Sequence, residues 1–137
     1  MMSSGKVRAG HGLHILLVED EPLIAELFAD TLMTDGHDVS VAADGQEALD
    51  LFTEADAVGR PYDLLVTDVR MPRMDGVALT RRLRAVQPDL PVVVVSGYAS
   101  PEQLSMLATT ERAPVVMLAK PVSLARLRTA VRGATRH

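Results

Sequence analysis

Cysteine is absent from this 137-residue chain. That excludes disulfides and thiolate metal sites and fits a reducing compartment. Aromatic residues make up only 3 %, so aliphatic side chains must fill any core. No apolar run approaches the ~20 residues that span a bilayer. The opening MMSSGKVRAGHG lacks the apolar stretch of a secretory signal and reads as a flexible tail over residues 1–12. There is no excess of positive charge either. Fourteen basic residues against eighteen acidic give a net charge of −4 and a pI near 5.5, unlike the basic footprint of a nucleic-acid binder. Glycine-rich phosphate loops and an HExxH zinc motif are missing. His11, His14, His37 and His137 show no metal-ligand spacing and read as solvated or tail residues.

What remains is 47 % hydrophobic and long enough for one domain with a single core. Five short apolar runs punctuate it: HILLV (14–18), DVSVA (38–42), DLLVT (63–67), PVVVV (91–95) and PVVML (114–118). Four are nearly continuous, as expected of parallel strands covered on both faces, while the second alternates like an edge strand. Helical patterns separate them. Pro22 suits a first helical position before Leu23, Ile24, Leu27, Phe28 and Leu32, with Gly36 as the stop. Asp44 and Glu47 form a capping-box pattern ahead of Ala48, Leu49, Leu51 and Phe52. The following EADAVGRP reads as a small inserted loop. Asp75 caps a third helix carrying Leu79, Leu83 and Val86 and ending before Pro88. Ser100-Pro101-Glu102-Gln103 opens a short fourth helix, and Ser123 a fifth with Leu124, Leu127 and Val131 on one stripe.

This alternation predicts a doubly wound (βα)5 fold of the α/β class, with a parallel sheet and right-handed crossovers. In such open sheets, ligands bind beyond the carboxyl ends of the strands. The polar residues falling there are Glu19 and Asp20 after the first strand, Asp68 after the third, Ser96 after the fourth and Lys120 after the fifth. Clustered carboxylates repel unless a cation or protons intervene. Hard oxygen donors suit Mg²⁺, and an aspartate can attack a phosphoryl group to give an aspartyl phosphate. Taken singly, EDE decorates a helix N-terminus, Asp68 could form a turn, Ser96-Gly97 a loop and Lys120-Pro121 a surface turn. Their joint placement at successive strand ends argues for one site.

Four motifs, ILLVEDEP, LLVTDVRMPRMDG, VVVVSGYA and LAKPV, occur in order at compatible spacing. Over about residues 13 to 135 the chain resembles the receiver domain of bacterial two-component response regulators, and residues 13–137 are assigned to that domain. The resemblance implies a flavodoxin-like three-layer fold with a five-stranded sheet of order 2-1-3-4-5. It implies that Asp68 accepts a phosphoryl group from a sensor histidine kinase or a histidine phosphotransfer protein. Asp20, Asp68 and the Arg70 backbone carbonyl would bind Mg²⁺ (or Mn²⁺), with Glu19 acting through water. Ser96 would be the switch hydroxyl, Lys120 would contact the phosphoryl group, and the Lys120-Pro121 bond is often cis in the family.

Two departures stand out. Many receivers carry Tyr or Phe three residues before the lysine, and Met117 stands there instead, so no aromatic switch exists at that position. Arg70 and Tyr98 hold the positions that tune phosphoryl lifetime, and Tyr98, two residues after Ser96, could either partly substitute for the aromatic switch or gate the pocket.

Three functions compete. A phosphorylatable switch uses every residue named. An aspartyl-phosphate phosphohydrolase needs a second acid two residues past the nucleophile, where Arg70 stands. A receiver-like binding module that works without phosphorylation normally lacks the acceptor, an acid or the lysine, and all are present. The switch is the expectation: not an enzyme beyond its own phosphorylation and dephosphorylation, cytoplasmic, away from membrane and nucleic acid. Its arginine-bearing last helix, with the fourth helix and fifth strand, would face a downstream protein. A homodimer stays open, as does the choice between a stand-alone receiver and part of a longer chain.

Overall fold

The computed structural model describes residues 12–71, 73–97 and 113–135. The tail and the fourth helix expected from the sequence lie outside that range. Strands β1 (His14–Val18), β2 (Asp38–Ala42), β3 (Leu64–Asp68), β4 (Val92–Ser96) and β5 (Val115–Ala119) form one parallel sheet in the order β2-β1-β3-β4-β5. Helices α1 (Pro22–Thr34), α2 (Gly45–Ala57) and α3 (Gly76–Val86) come after the first three strands, and the last helix spans Leu124–Thr135.

The central strands are buried on both faces, which is why they read as unbroken aliphatic runs. Alternate side chains split the core in two. Leu16, Val18, Leu65, Val92 and Val94 pack with α2 and α3. Ile15, Leu17, Leu64, Val66 and Val93 pack with α1 and the last helix. β5 departs from its sequence pattern. Although as aliphatic as the inner strands, it is an edge, with Val115 and Val116 half-buried and Met117 exposed.

The last three strands start and end one residue later than their apolar runs. Pro91 and Pro114 precede β4 and β5, lending only carbonyls to Leu65 N–H and Val92 N–H. At the other end pairing continues into the polar residues, with Asp68 opposite Val95 and Ser96 opposite Ala119. Asp68 and Ser96 are therefore held by the ladder rather than by loops.

Local signals set the helices. Asp44 accepts a hydrogen bond from Glu47 N–H at 2.8 Å, while the Glu47 carboxylate reaches back to Ala43 N–H. Asp75 accepts from Ala78 N–H, and Ser123 Oγ from Arg126 N–H. Gly36 and Gly59 take left-handed φ of 94° and 76° to close α1 and α2. Each closure carries the paired bonds of a Schellman motif: His37 N–H to Leu32 O and Gly36 N–H to Met33 O, then Arg60 N–H to Ala55 O and Gly59 N–H to Asp56 O. The first half of EADAVGRP is thus the last turn of α2, not an inserted loop.

Three other expectations are corrected. Leu23 and Leu27 do not face the core; they are 74 % and 50 % exposed. The buried face of α1 is Ala25, Phe28, Ala29 and Leu32, because small alanines bring the helix close to the sheet and turn the flanking leucines outward. Val86, the final residue of α3, is likewise exposed. His14 and His37 have structural partners. The His14 ring stacks on Tyr62 with centroids 4.1 Å apart, and His37 Nδ1 accepts from Leu13 N–H at 3.2 Å.

The orientation of α1 is tested by adjacent substitutions in urea unfolding. Leu27→Gln should change stability by no more than about 0.5 kcal/mol, whereas Phe28→Ala should cost about 3–5 kcal/mol.

Candidate functional site

β1, β3 and β5 deliver the charged groups to one edge. Glu19 comes directly after β1 and is tied to the neighbouring strand by its N–H, which donates to Ala42 O at 3.0 Å. Its side chain is buried, and one carboxylate oxygen accepts from Glu21 N–H at 3.0 Å. Asp20 beside it is exposed. Asp68 ends β3 and is only 4 % exposed. Carboxylate oxygens of Glu19, Asp20 and Asp68 all lie within 4.8 Å of one another.

Among the described residues, one ammonium group answers them. Lys120 Nζ donates to Asp68 Oδ2 at 2.6 Å, and its backbone N–H donates to Ser96 O at 2.9 Å, extending the β4–β5 ladder. The peptide bond from Lys120 to Pro121 is cis. Arg70 N–H makes a longer bond of 3.3 Å to Asp68 Oδ1. Ser96 is buried at the end of β4, in the strand next to both Asp68 and Lys120. Met117 lies on β5 opposite Val94 and is 40 % exposed. Tyr98 lies outside the described residues.

Burial pushes the Glu19 carboxyl above its ordinary value. The hydrogen bond from Glu21 N–H opposes this, the charges of Asp68 and Asp20 add to it, Lys120 opposes it, and the net direction is upward. For Lys120, burial lowers the ammonium. The hydrogen bond and charge of Asp68, with the charges of Glu19 and Asp20, outweigh burial and hold it raised. The site thus has more negative charge than its own cation balances. Its side-chain oxygen donors are carboxylates, the kind a hard divalent cation such as Mg²⁺ prefers.

The backbone under Asp68 is fixed by packing that the sequence shows only as Asp75-Gly76. Gly76 N–H donates to Val69 O at 2.8 Å. A Cβ on Gly76 would lie 2.1 Å from Asp68 O and 3.1 Å from Thr67 Oγ1. Thr67 Oγ1, wholly buried, donates to Asp68 O at 2.9 Å. On the loop between β3 and α3, Arg73 adopts a left-handed φ of 71° and its guanidinium pairs with Asp44, the cap of α2. Gly45 allows this approach, since a Cβ there would meet Met74 Cβ at 2.6 Å. Arg73 and Gly45 carry no signal in the apolar pattern and Thr67 shows only as the end of an apolar run, because their roles depend on contacts made in the folded chain.

The close approach at Gly76 has a measurable sign. An alanine at an unconstrained first helical position stabilises a helix. Gly76→Ala should instead destabilise the protein by about 1–3 kcal/mol in urea unfolding, because the added carbon overlaps the Asp68 carbonyl.

Comparison with known proteins gives the same assignment. The family model for the response regulator receiver domain matches residues 15–132. Sensor kinase CckA of Brucella abortus is 40 % identical over 118 residues, covering 86 % of this chain and 12 % of that protein. Response regulator MprA of Mycolicibacterium vanbaalenii is 41 % identical over 88 residues, covering 64 % of this chain and 36 % of that protein. The chain therefore spans from about an eighth to about a third of these relatives. Among solved structures, a response regulator receiver protein from Sinorhizobium medicae superposes with a TM-score of 0.78 at 30 % identity, covering 90 % of this chain and 94 % of that one. In fold, in motif order and along nearly its whole described length, the chain belongs to the response regulator receiver domain family of two-component signalling.

Proposed function

We propose that Asp68 accepts a phosphoryl group from a sensor histidine kinase or a histidine phosphotransfer protein, and that the resulting aspartyl phosphate switches a protein-docking face. The observation that carries this reading is the buried Asp68 carboxylate, ion-paired to Lys120 at 2.6 Å and set against two further acids. A carboxylate oxygen of Asp68 attacks phosphorus, forming a P–O bond as the donor's bond to phosphorus breaks, and the leaving group takes a proton from solvent. Lys120 loses its carboxylate partner in that step and moves with the charge to a phosphoryl oxygen as a point cation. The Ser96 hydroxyl, at the end of the adjacent strand, donates to another oxygen. Asp68 itself is kept in place by Gly76, Thr67 and the β3–β4 ladder, so positioning is prepaid.

Asp20, Asp68 and the Arg70 carbonyl, with Glu19 through water, are the residues suited to hold Mg²⁺ or Mn²⁺. When bound, the divalent ion supplies the charge neutralisation that phosphoryl transfer requires. Tyr98 and the Arg70 side chain govern how readily water reaches the phosphoryl group, and Met117 replaces the usual aromatic switch. The downstream partner meets β5, the last helix and the helix expected between β4 and β5. A cytoplasmic setting accords with this chemistry, and no helix among the described residues is long and apolar enough to cross a membrane.

Intact-mass analysis after incubation with acetyl phosphate and Mg²⁺ should show one added phosphoryl group on wild type. Asp68→Asn should show none, and neither should wild type in EDTA. Addition to Asp68→Asn at the wild-type level would overturn the assignment.

The excess negative charge gives a second test. An acid whose folded pKa is raised is destabilised when ionised, so Glu19 weakens the fold above that pKa and not below the unfolded value. In EDTA at pH 7, Glu19→Gln should therefore melt higher than wild type, with the gap closing as pH falls through the carboxylate range. Mg²⁺ should raise the melting temperature of wild type by mass action and that of Asp68→Asn or Asp20→Asn much less. A Glu19→Gln protein that melts lower than wild type in EDTA would contradict the charge balance described.

A further inference from the structure

α2 and α3 are neighbours of opposite charge. α2 has four acids, Glu47, Asp50, Glu54 and Asp56, and no base, whereas α3 has three bases, Arg81, Arg82 and Arg84, and no acid. They lie side by side, packed on the same face of the sheet. All four acids are exposed, as are Arg81 and Arg82, while Arg84 is committed to backbone carbonyls. Glu47 and Asp50 are bonded only to groups at the start of α2. Among the described residues no ion pair engages Arg81, Arg82, Glu54 or Asp56. The two charged ridges do not neutralise each other.

Between these charges the surface is low. Thr53 and Ala57 on α2, with Ala78 and Ala85 on α3, are exposed, and short side chains let another pair of helices come close. Val58, which caps α2, and Val86, which ends α3, are 69 % and 62 % exposed. Both helices return from strands of one parallel sheet. They therefore run in the same direction, and both valines lie at the amino end of the sheet.

We infer that this face binds a second copy of the chain, as a two-fold dimer in which α2 of each copy lies on α3 of the other. Such an interface uses one patch twice and must complement itself. An acidic ridge beside a basic ridge meets that condition in one of two ways of facing its copy. With the two-fold axis along the helices, acid faces base twice, and Val58 of one copy comes level with Val86 of the other. With the axis across the helices, acid faces acid and base faces base. Arginine suits the role, because its planar fork grips a carboxylate through two parallel hydrogen bonds. The inference goes beyond the proposed switch, since this face uses neither Asp68 nor the surface assigned there to the downstream partner.

Sedimentation equilibrium of the full chain at low salt and millimolar concentration should give a mass approaching twice 14.8 kDa. The dimer should dissociate as salt rises toward about 1 M, where screening acts within about 3 Å. Arg81→Glu with Arg82→Glu should weaken it at least tenfold, and so should Asp50→Arg with Glu54→Arg. An equimolar mixture of these two variants should dimerise again, because every ridge then meets its opposite. Arg81→Gln with Arg82→Gln gives the milder loss should a reversed ridge fail to fold. The lack of cysteine makes the axis itself testable. Under a mild oxidant, Val58→Cys chains mixed with Val86→Cys chains should form the mixed disulfide at least tenfold faster than either forms its own. A chain that stays monomeric at low salt, or charge variants that dimerise like wild type, would overturn the inference. So would a variant mixture that stays monomeric, or an excess of like-with-like disulfides.

Discussion

Mutual repulsion among Glu19, Asp20 and Asp68 is the constraint around which this molecule is built. Their oxygens are gathered within 4.8 Å, two of the three side chains are buried, and among the described residues a single ammonium, Lys120, stands against them. Left to itself such a cluster would spread apart or take up protons. It is held because the groups come from segments that cannot yield: Glu19 is bonded to β2, Asp68 is within the β3–β4 ladder, and Lys120 is bonded to β4. The negative charge left uncompensated is concentrated at the carboxyl edge of the sheet.

The rest of the fold restrains that edge. Gly76 seats the start of α3 on the Asp68 carbonyl, with no room for a methyl group, so the loop from 69 to 75 is pinned at its far end. Its middle is pinned by Arg73 to the cap of α2 and by Met74 against Gly45. At the opposite end of the sheet, the half-buried Arg84 donates to Leu90 O, Ala113 O and Pro114 O at 3.0, 2.8 and 3.3 Å. That guanidinium ties α3 to the segments leading into β4 and β5, the two strands that carry Ser96 and Lys120.

Much of this was legible in the sequence because the relevant signals are strong and local. Parallel strands covered on both faces must be aliphatic along their length, so β1, β3 and β4 announced themselves, and the caps at Asp44, Asp75 and Ser123 were typed by residue and spacing. The carboxylates and the lysine showed as the polar residues at the carboxyl end of each apolar run. Features that escaped the sequence depend on distance through space. The strand ends shifted because ladder hydrogen bonds do not stop where hydrophobicity does. Leu23 and Leu27 lie outside despite their helical spacing, because an apolar side chain is not obliged to be inside, and alanine faces pack closer than leucine ones. The Thr67 hydroxyl, the Arg73–Asp44 pair and the His14–Tyr62 stack depend on folded contacts to which no periodicity points. Tyr98 and the helix expected after it lie outside the described residues.

The central claim is that the geometry of one carboxylate among three makes Asp68 the acceptor. Borohydride reduction of the phosphorylated protein, which converts an acyl phosphate to homoserine, with subsequent fragment mass mapping, locates that carboxylate directly. The account predicts homoserine at position 68 and unmodified acids at positions 19 and 20. A reduced side chain at either of those positions, or phosphate that survives reduction on a hydroxyl, would contradict it.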